Sequence, residues 1–384
     1  RAECVEGAAH DRLGTVRRGH GVRVGDRSPP TRDDVVGRAI RVLGVHVVDD
    51  HHRATFGEGQ SVFASEPATR SGHDCDPTIE TQLLLGVRRG HGLTVQSRSG
   101  EVEMTTSVPR VVMVTGASRG IGRETAIALA RRGHHLVLTA RSVDGVARFD
   151  GTTVGDPLTG VELSGTLADV IDECRREQVR SGSSSRVVGV ALNLADAGSV
   201  EAAAARALAE FGVVDTLVSN AIYQGPGVND RFRDLPIDLL RTVVEGDAVA
   251  PLILLKAFLP GMLSTGRGVY VHLTSGAATL TPRRPAGEGG WGVAYAMAKG
   301  AAHRVAGVLH AEHARDGLRA YSLNPGHVTT EVMRLRAERE GRAPTGDGPH
   351  DVARVIDWLI EGGPDAEAMS GSEVIVRDVV SRLR

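Results

Sequence analysis

Lysine is nearly missing from this chain. Of 45 basic residues in 384, only Lys256 and Lys299 are lysines. Aromatic side chains make up only 3%. Three cysteines, Cys4, Cys75 and Cys174, are too scattered for a disulfide framework or a zinc site, and nothing around them supports thiol catalysis. A net charge of −2 without a basic stripe argues against a nucleic-acid partner. No apolar run reaches the ~18 residues of a membrane span and no signal peptide is visible, so no membrane partner is expected and the protein is expected to be soluble and cytoplasmic.

Composition also divides the chain. Residues 1–103 contain no Met, Trp, Tyr or Lys, and their apolar residues come in unpatterned bursts. Met104 leads directly into the first clear strand. The economical reading makes residues 1–103 an N-terminal extension, disordered or translated from upstream of a natural start at Met104. The rival is a small extra domain, which would make the protein a two-domain regulator. With only Phe56 and Phe63 as aromatics, that domain would have a poor core.

What is present begins with a glycine turn. An apolar strand at 110–114 runs into Thr115-Gly116-Ala117-Ser118-Arg119-Gly120-Ile121-Gly122 and then into a helix stopped by Gly133. Glycines let the backbone approach phosphates, and a helix N-terminus adds free amides and partial positive charge. Alone, such a turn is weak evidence; between a strand and a helix it reads as a dinucleotide site. The next strand, 135–140, ends at Arg141 rather than at the carboxylate that would hold an adenosine ribose. Arg119 and Arg141 could be plain solvated arginines, but two guanidiniums near a ribose suit a 2′-phosphate. The cofactor expected is NADP, with NAD as the alternative.

The second motif is Tyr295-Ala-Met-Ala-Lys299. Four residues apart on a helix, the two side chains share a face. A phenol titrates near pH 10 in water, and the lysine charge should lower that value toward use as an acid/base. The pairing is unlikely by chance, because it joins one of two lysines to one of four tyrosines. Ser275 lies upstream, at the end of an apolar strand.

The spacing of the glycines, the Tyr-Lys pair and Ser275 together resemble the short-chain dehydrogenase/reductase family over roughly residues 109–384. The resemblance implies a single doubly wound parallel α/β sheet of Rossmann type. It makes Tyr295 the acid/base, Lys299 its partner and a ligand of the nicotinamide ribose, and Ser275 the donor to a substrate carbonyl oxygen. Basic residues at the positions of Arg119 and Arg141 go with NADP in the family. Asn193 and Leu194 match the segment that flanks adenine, with Asn193 where Asp is usual. Asn220 and Ala221 match the family's Asn-Asn-Ala-Gly, with Ser219 and Ile222 departing from it. Pro325, Gly326, Val328 and Thr330 match the loop beside the nicotinamide amide. Counting back from Leu259-Pro260-Gly261, the family's catalytic Asn falls on Asp247, which brings a charge near Lys299.

The expected product is an NADP-dependent oxidoreductase acting on a small carbonyl or secondary alcohol. The alternative is a nucleotide-binding protein with little catalysis, supported by Asp247 and Ile222. Helices are expected at 165–179, 198–211 and 349–361, and strands near 186–192, 213–218, 267–274, 317–323 and 372–377. A glycine-rich excursion fills 144–165. Two long helices, 236–263 and 291–315, carry surplus apolar residues and should pair copies into a homodimer or homotetramer. Specificity should lie in loops 223–235, 281–292 and 329–347, the second containing Trp291. His303, His310 and His313 share a helical face, read as an exposed face or subunit contact, and no metal is expected.

Overall fold

The computed structural model describes residues 108–383, so the expected extension at 1–103 lies outside the described residues. Seven strands form one parallel sheet: β1 (Val111–Val114), β2 (His135–Ala140), β5 (Val187–Ala191), β6 (Thr216–Ser219), β7 (Val269–Leu273), β8 (Arg319–Asn324) and β9 (Glu373–Ile375). Their order is β5-β2-β1-β6-β7-β8-β9. The chain therefore winds outward from β1 to β5, returns to lie beside β1 at β6, and winds out the other way. Such a reversal opens a crevice at the carboxyl ends of β1 and β6, where open α/β sheets bind ligands.

The strands are apolar on both faces because helices cover both. Val112 and Val114 of β1, Leu136 and Leu138 of β2, and Val269 and Val271 of β7 point into one core. The helices Gly120–Arg131, Leu167–Arg180 and Pro349–Glu361 close it. The alternate residues Val111, Met113, Val137 and Tyr270 point into a second core under Ala197–Phe211, Ala250–Thr265 and Val305–His313. Thr166 and Asp169 form a reciprocal capping box that fixes where the second helix starts.

Three details differ from expectation. β6 begins at Thr216 rather than 213; Asp215 just before it receives Arg267 at 2.8 Å. The last strand stops at Ile375, because Val376–Val380 turns helical and buries Val376, Val379 and Val380. The expected long helix is Ile237–Val244 and Ala250–Thr265 joined by a π-turn, Glu245–Val249. Pro251 supplies a cause: it has no N–H for the carbonyl of Asp247, four residues back, and its ring crowds that carbonyl. Ile237–Thr265 is also the one described helix with the length and hydropathy of a membrane span. It places Ala250, Leu254, Leu255, Phe258 and Met262 in the second core.

The 144–165 excursion is a small folded unit. It pairs β3 (Ala147–Arg148) with β4 (Glu162–Leu163) in an antiparallel hairpin. Phe149, Leu158 and Leu163 form a separate core, against which Val332 and Leu335 of the Glu331–Arg339 helix pack.

Candidate active site

The crevice at the β1/β6 switch is a cavity of about 460 Å³. Backbone packing shapes its floor. Gly116 takes φ +68°, and a Cβ on Gly122 would fall 2.2 Å from the Gly116 carbonyl oxygen. Only glycine lets the turn close this tightly. Asn220 clamps the same turn from β6: its Nδ2 donates to the carbonyls of Thr115 at 2.8 Å and Gly116 at 3.2 Å. Thr115 Oγ1 in turn accepts from the amides of Asn220 at 3.0 Å and Ala221 at 2.9 Å. The Gly120–Arg131 helix starts without a side-chain cap and with no acid in its first turn. Its free amides therefore fit an anion. That fit, with the glycine cradle, matches what a dinucleotide's pyrophosphate needs.

Most residues singled out from the sequence meet here. Gly116, Ser118, Arg119, Gly120, Ile121 and Arg141 line one end of the cavity. Asn193, Leu194, Asn220, Ala221, Tyr295, Lys299, Pro325, Gly326, Val328 and Thr330 line the rest. Gly122, Ser275 and Asp247 do not line it. Gly122 is packed against the turn, Ser275 Oγ accepts from the Ala277 amide at 3.2 Å, and Asp247 lies beneath at 1% exposure. Asn193 turns its Oδ1 to the Ala195 amide at 3.2 Å.

Lys299 is buried, and its Nζ donates to the Leu273 carbonyl at 2.8 Å. It sits 5.9 Å from the Tyr295 ring centroid. Burial lowers its pKa, and the Asp247 carboxylate pulls it back up. Tyr295 does not show the lowering expected from Lys299. Burial pushes its phenol up to about 12; a hydrogen bond with Ser275 opposes this, and Asp247 adds to it. Lys299 instead donates to Leu273 O and interacts with the Asp247 carboxylate. Asp247 itself is pushed up to about 6 by burial, against the pull of Lys299 and of the Tyr223 amide, which donates to its Oδ1. Its Oδ2 has no hydrogen-bond partner.

Around Arg119 and Arg141 the cavity holds residues the sequence did not single out. Arg141 is ion-paired with Asp150 of the excursion and donates to the Arg148 carbonyl at 3.1 Å. Arg119 donates to the Gly165 carbonyl at 3.2 Å, and its buried Nε has no partner. Glu331 also lines the cavity, its carboxylate 3.5 Å from where a Cβ on Gly120 would stand, and it raises the Arg119 pKa that burial lowers. Tyr223, Gln224, His327, Val332 and Met333 also line the cavity. No local pattern marks Asp150 or Glu331; each reaches the cavity only through tertiary packing.

The histidine face divides among separate partners. His303 meets Thr274 Oγ1 at 3.1 Å, His310 meets Ser370 Oγ at 3.0 Å and His313 meets Asp316 at 3.2 Å. The 281–292 loop is pinned to the 223–235 loop: Arg231 pairs with Glu288, and the Gly292 amide donates to Asn229 at 3.4 Å.

The chain is similar to known proteins. The short chain dehydrogenase family model matches residues 110–173 and 160–341. Mouse dehydrogenase/reductase SDR family member 7B is 30% identical over 223 residues, covering 58% of this chain and 58% of its own. The chain thus spans little more than half of that relative. The Streptomyces exfoliatus 1-deoxy-11-beta-hydroxypentalenate dehydrogenase is 28% identical over 270 residues, covering 70% of this chain and 85% of its own. A putative short-chain dehydrogenase/reductase structure from Burkholderia xenovorans aligns with a TM-score of 0.54 at 22% identity, over 71% of this chain and 96% of that one. That likeness speaks to the fold alone.

Proposed function

The chain belongs to the short chain dehydrogenase family, and on that premise we propose that it is an NADP-dependent oxidoreductase of small carbonyl compounds and secondary alcohols. One observation carries the reading: Tyr295 and Lys299 face the same cavity as the glycine turn and its uncapped helix.

When bound, the dinucleotide supplies or accepts hydride. Gly116, Gly120 and the first amides of the Gly120–Arg131 helix hold its pyrophosphate. Arg119 and Arg141 at the adenosine end favour a 2′-phosphate, which is the basis for NADP over NAD. Tyr295 exchanges a proton with the substrate oxygen. Ser275 donates a hydrogen bond to that oxygen and steadies charge developing there. Lys299 favours the phenolate once the proton has left. A phenol held near 12 is protonated at neutral pH, so carbonyl reduction is the direction in which Tyr295 needs no prior ionisation. Tyr223, Val332 and Met333 line the same cavity and suit a substrate with an apolar body. The long helices leave Val249 and Val308 exposed, which supports pairing of copies into a homodimer or homotetramer.

The test is Tyr295→Phe, which keeps the ring and removes the proton. Turnover of NADPH against a carbonyl panel should fall at least ~10²-fold, with cofactor affinity kept. Wild-type turnover in the variant ends this mechanism. NADPH binding with no turnover by the unaltered chain points instead to a nucleotide-binding protein without catalysis.

A further inference from the structure

The excursion at 144–165 reaches both guanidiniums that the sequence assigns to a 2′-phosphate. Its Asp150 holds Arg141, and its Gly165 carbonyl holds Arg119. Asp150 lines the same cavity as Arg141, so the acid usual at the end of the second strand is supplied from nine residues further on.

Asp150 is held in place by its neighbours. Phe149 beside it is buried against Leu158 and Leu163. Asp156 accepts from the Thr152 amide at 2.9 Å and the Leu158 amide at 3.0 Å, and pairs with Arg336 at 2.6 Å. Arg336 also lies over the Phe149 ring, 5.3 Å from its centroid. Two further bonds tie the excursion to the substrate-side loop: the Asn229 amide donates to Thr152 O at 2.8 Å, and the Val154 amide to Asp230 Oδ1 at 3.1 Å. The carboxylate therefore belongs to a folded hairpin anchored at several points.

We propose that Asp150 is a cofactor-selecting residue: its ion pair with Arg141 competes with a 2′-phosphate, and its carboxylate accepts from the free 2′-hydroxyl of a cofactor lacking that phosphate. The inference rests on the reading that the adenosine ribose lies at Arg141. Arg141 meets a dianion only by giving up Asp150, whereas a ribose hydroxyl can donate to Asp150 with the pair intact. The excursion thus tempers the preference for NADP that the arginines alone would give, and lets one cleft accept either cofactor.

The experiment measures the Kd of NADPH and of NADH for the full chain by titration calorimetry. The variants are Asp150→Asn, Arg141→Ala and the two combined. Both side chains are about half exposed, and thermal melts check that the variants fold. Releasing an exposed ion pair corresponds to a change of up to about fivefold in affinity. Asp150→Asn is expected to tighten NADPH by about that factor and to weaken NADH. The NADPH gain should vanish when Arg141 is also replaced. If Arg141→Ala weakens NADPH while Asp150→Asn moves neither Kd, or moves both equally, the proposal is overturned and the cofactor reading stands. If Arg141→Ala changes neither Kd, the placement of the ribose is wrong and the proposal falls with it.

Discussion

Replacing Asp247 by Asn should remove a loss of stability that the unaltered chain suffers as pH rises. The side chain is 1% exposed; the Tyr223 amide donates to one oxygen, and the other has no partner. Burial therefore raises the carboxyl from 3.8 to about 6. A raised carboxyl means that the folded chain holds the proton more tightly than the unfolded chain. The resulting stabilisation is complete below about pH 4 and disappears as pH rises through about 6. A shift of about two units corresponds to about 3 kcal/mol in all, of which roughly 2 kcal/mol fall between pH 4 and 7. Asn keeps the shape and the bond from Tyr223 but cannot ionise. Urea unfolding of both proteins from pH 4 to 7 measures the effect. The difference, variant minus unaltered chain, should grow by about 2 kcal/mol across that range. The histidines are common to both chains and largely cancel. Lys299 loses its counter-charge in the variant, so the slope of the difference is the test rather than its sign at one pH. A flat difference refutes the reasoning. Asp247 also holds the Tyr295 phenol up, so the same swap should move the alkaline limb of the pH–rate profile to lower pH.

Gly122→Ala would place a methyl 2.2 Å from Gly116 O and 2.7 Å from Asn220 Nδ2. It should cost about 1–3 kcal/mol and weaken cofactor binding, and unchanged calorimetric affinity would contradict the cradle. Arg336→Ala leaves the buried Asp156 without its cation and should cost about 1–3 kcal/mol. Protease cleavage should then begin within 144–165; a digestion pattern like that of the unaltered chain would count against the clasp. A chain beginning at Met104 is expected to bind NADPH as the full chain does, because residues 1–103 are unpatterned and every motif of the cofactor site follows Met104. Loss of binding on that truncation would show that residues 1–103 matter.

The fold was largely legible because its signals are local and repeated. Strands apolar on both faces, alternating with helices, fit few arrangements besides a parallel sheet covered on both sides. The glycine turn was legible for the same reason: strand, turn and helix are contiguous, so the residues that form the cradle are neighbours in the chain. The π-turn was missed, although Pro251 four residues after Asp247 was the available signal.

The amino-acid order by itself thus determined the sheet, the glycine turn and the facing of Tyr295 and Lys299, since each depends on backbone conformation over a few residues. Tertiary structure alone decided the charges around them. Asp150 meets Arg141 because a hairpin core of Phe149, Leu158 and Leu163 seats against Val332 and Leu335, far along the chain. Tyr295 carries a raised rather than a lowered pKa because burial and the Asp247 charge outweigh its bond with Ser275. Burial and through-space charge sum over groups from distant segments, and no spacing within one segment records that sum.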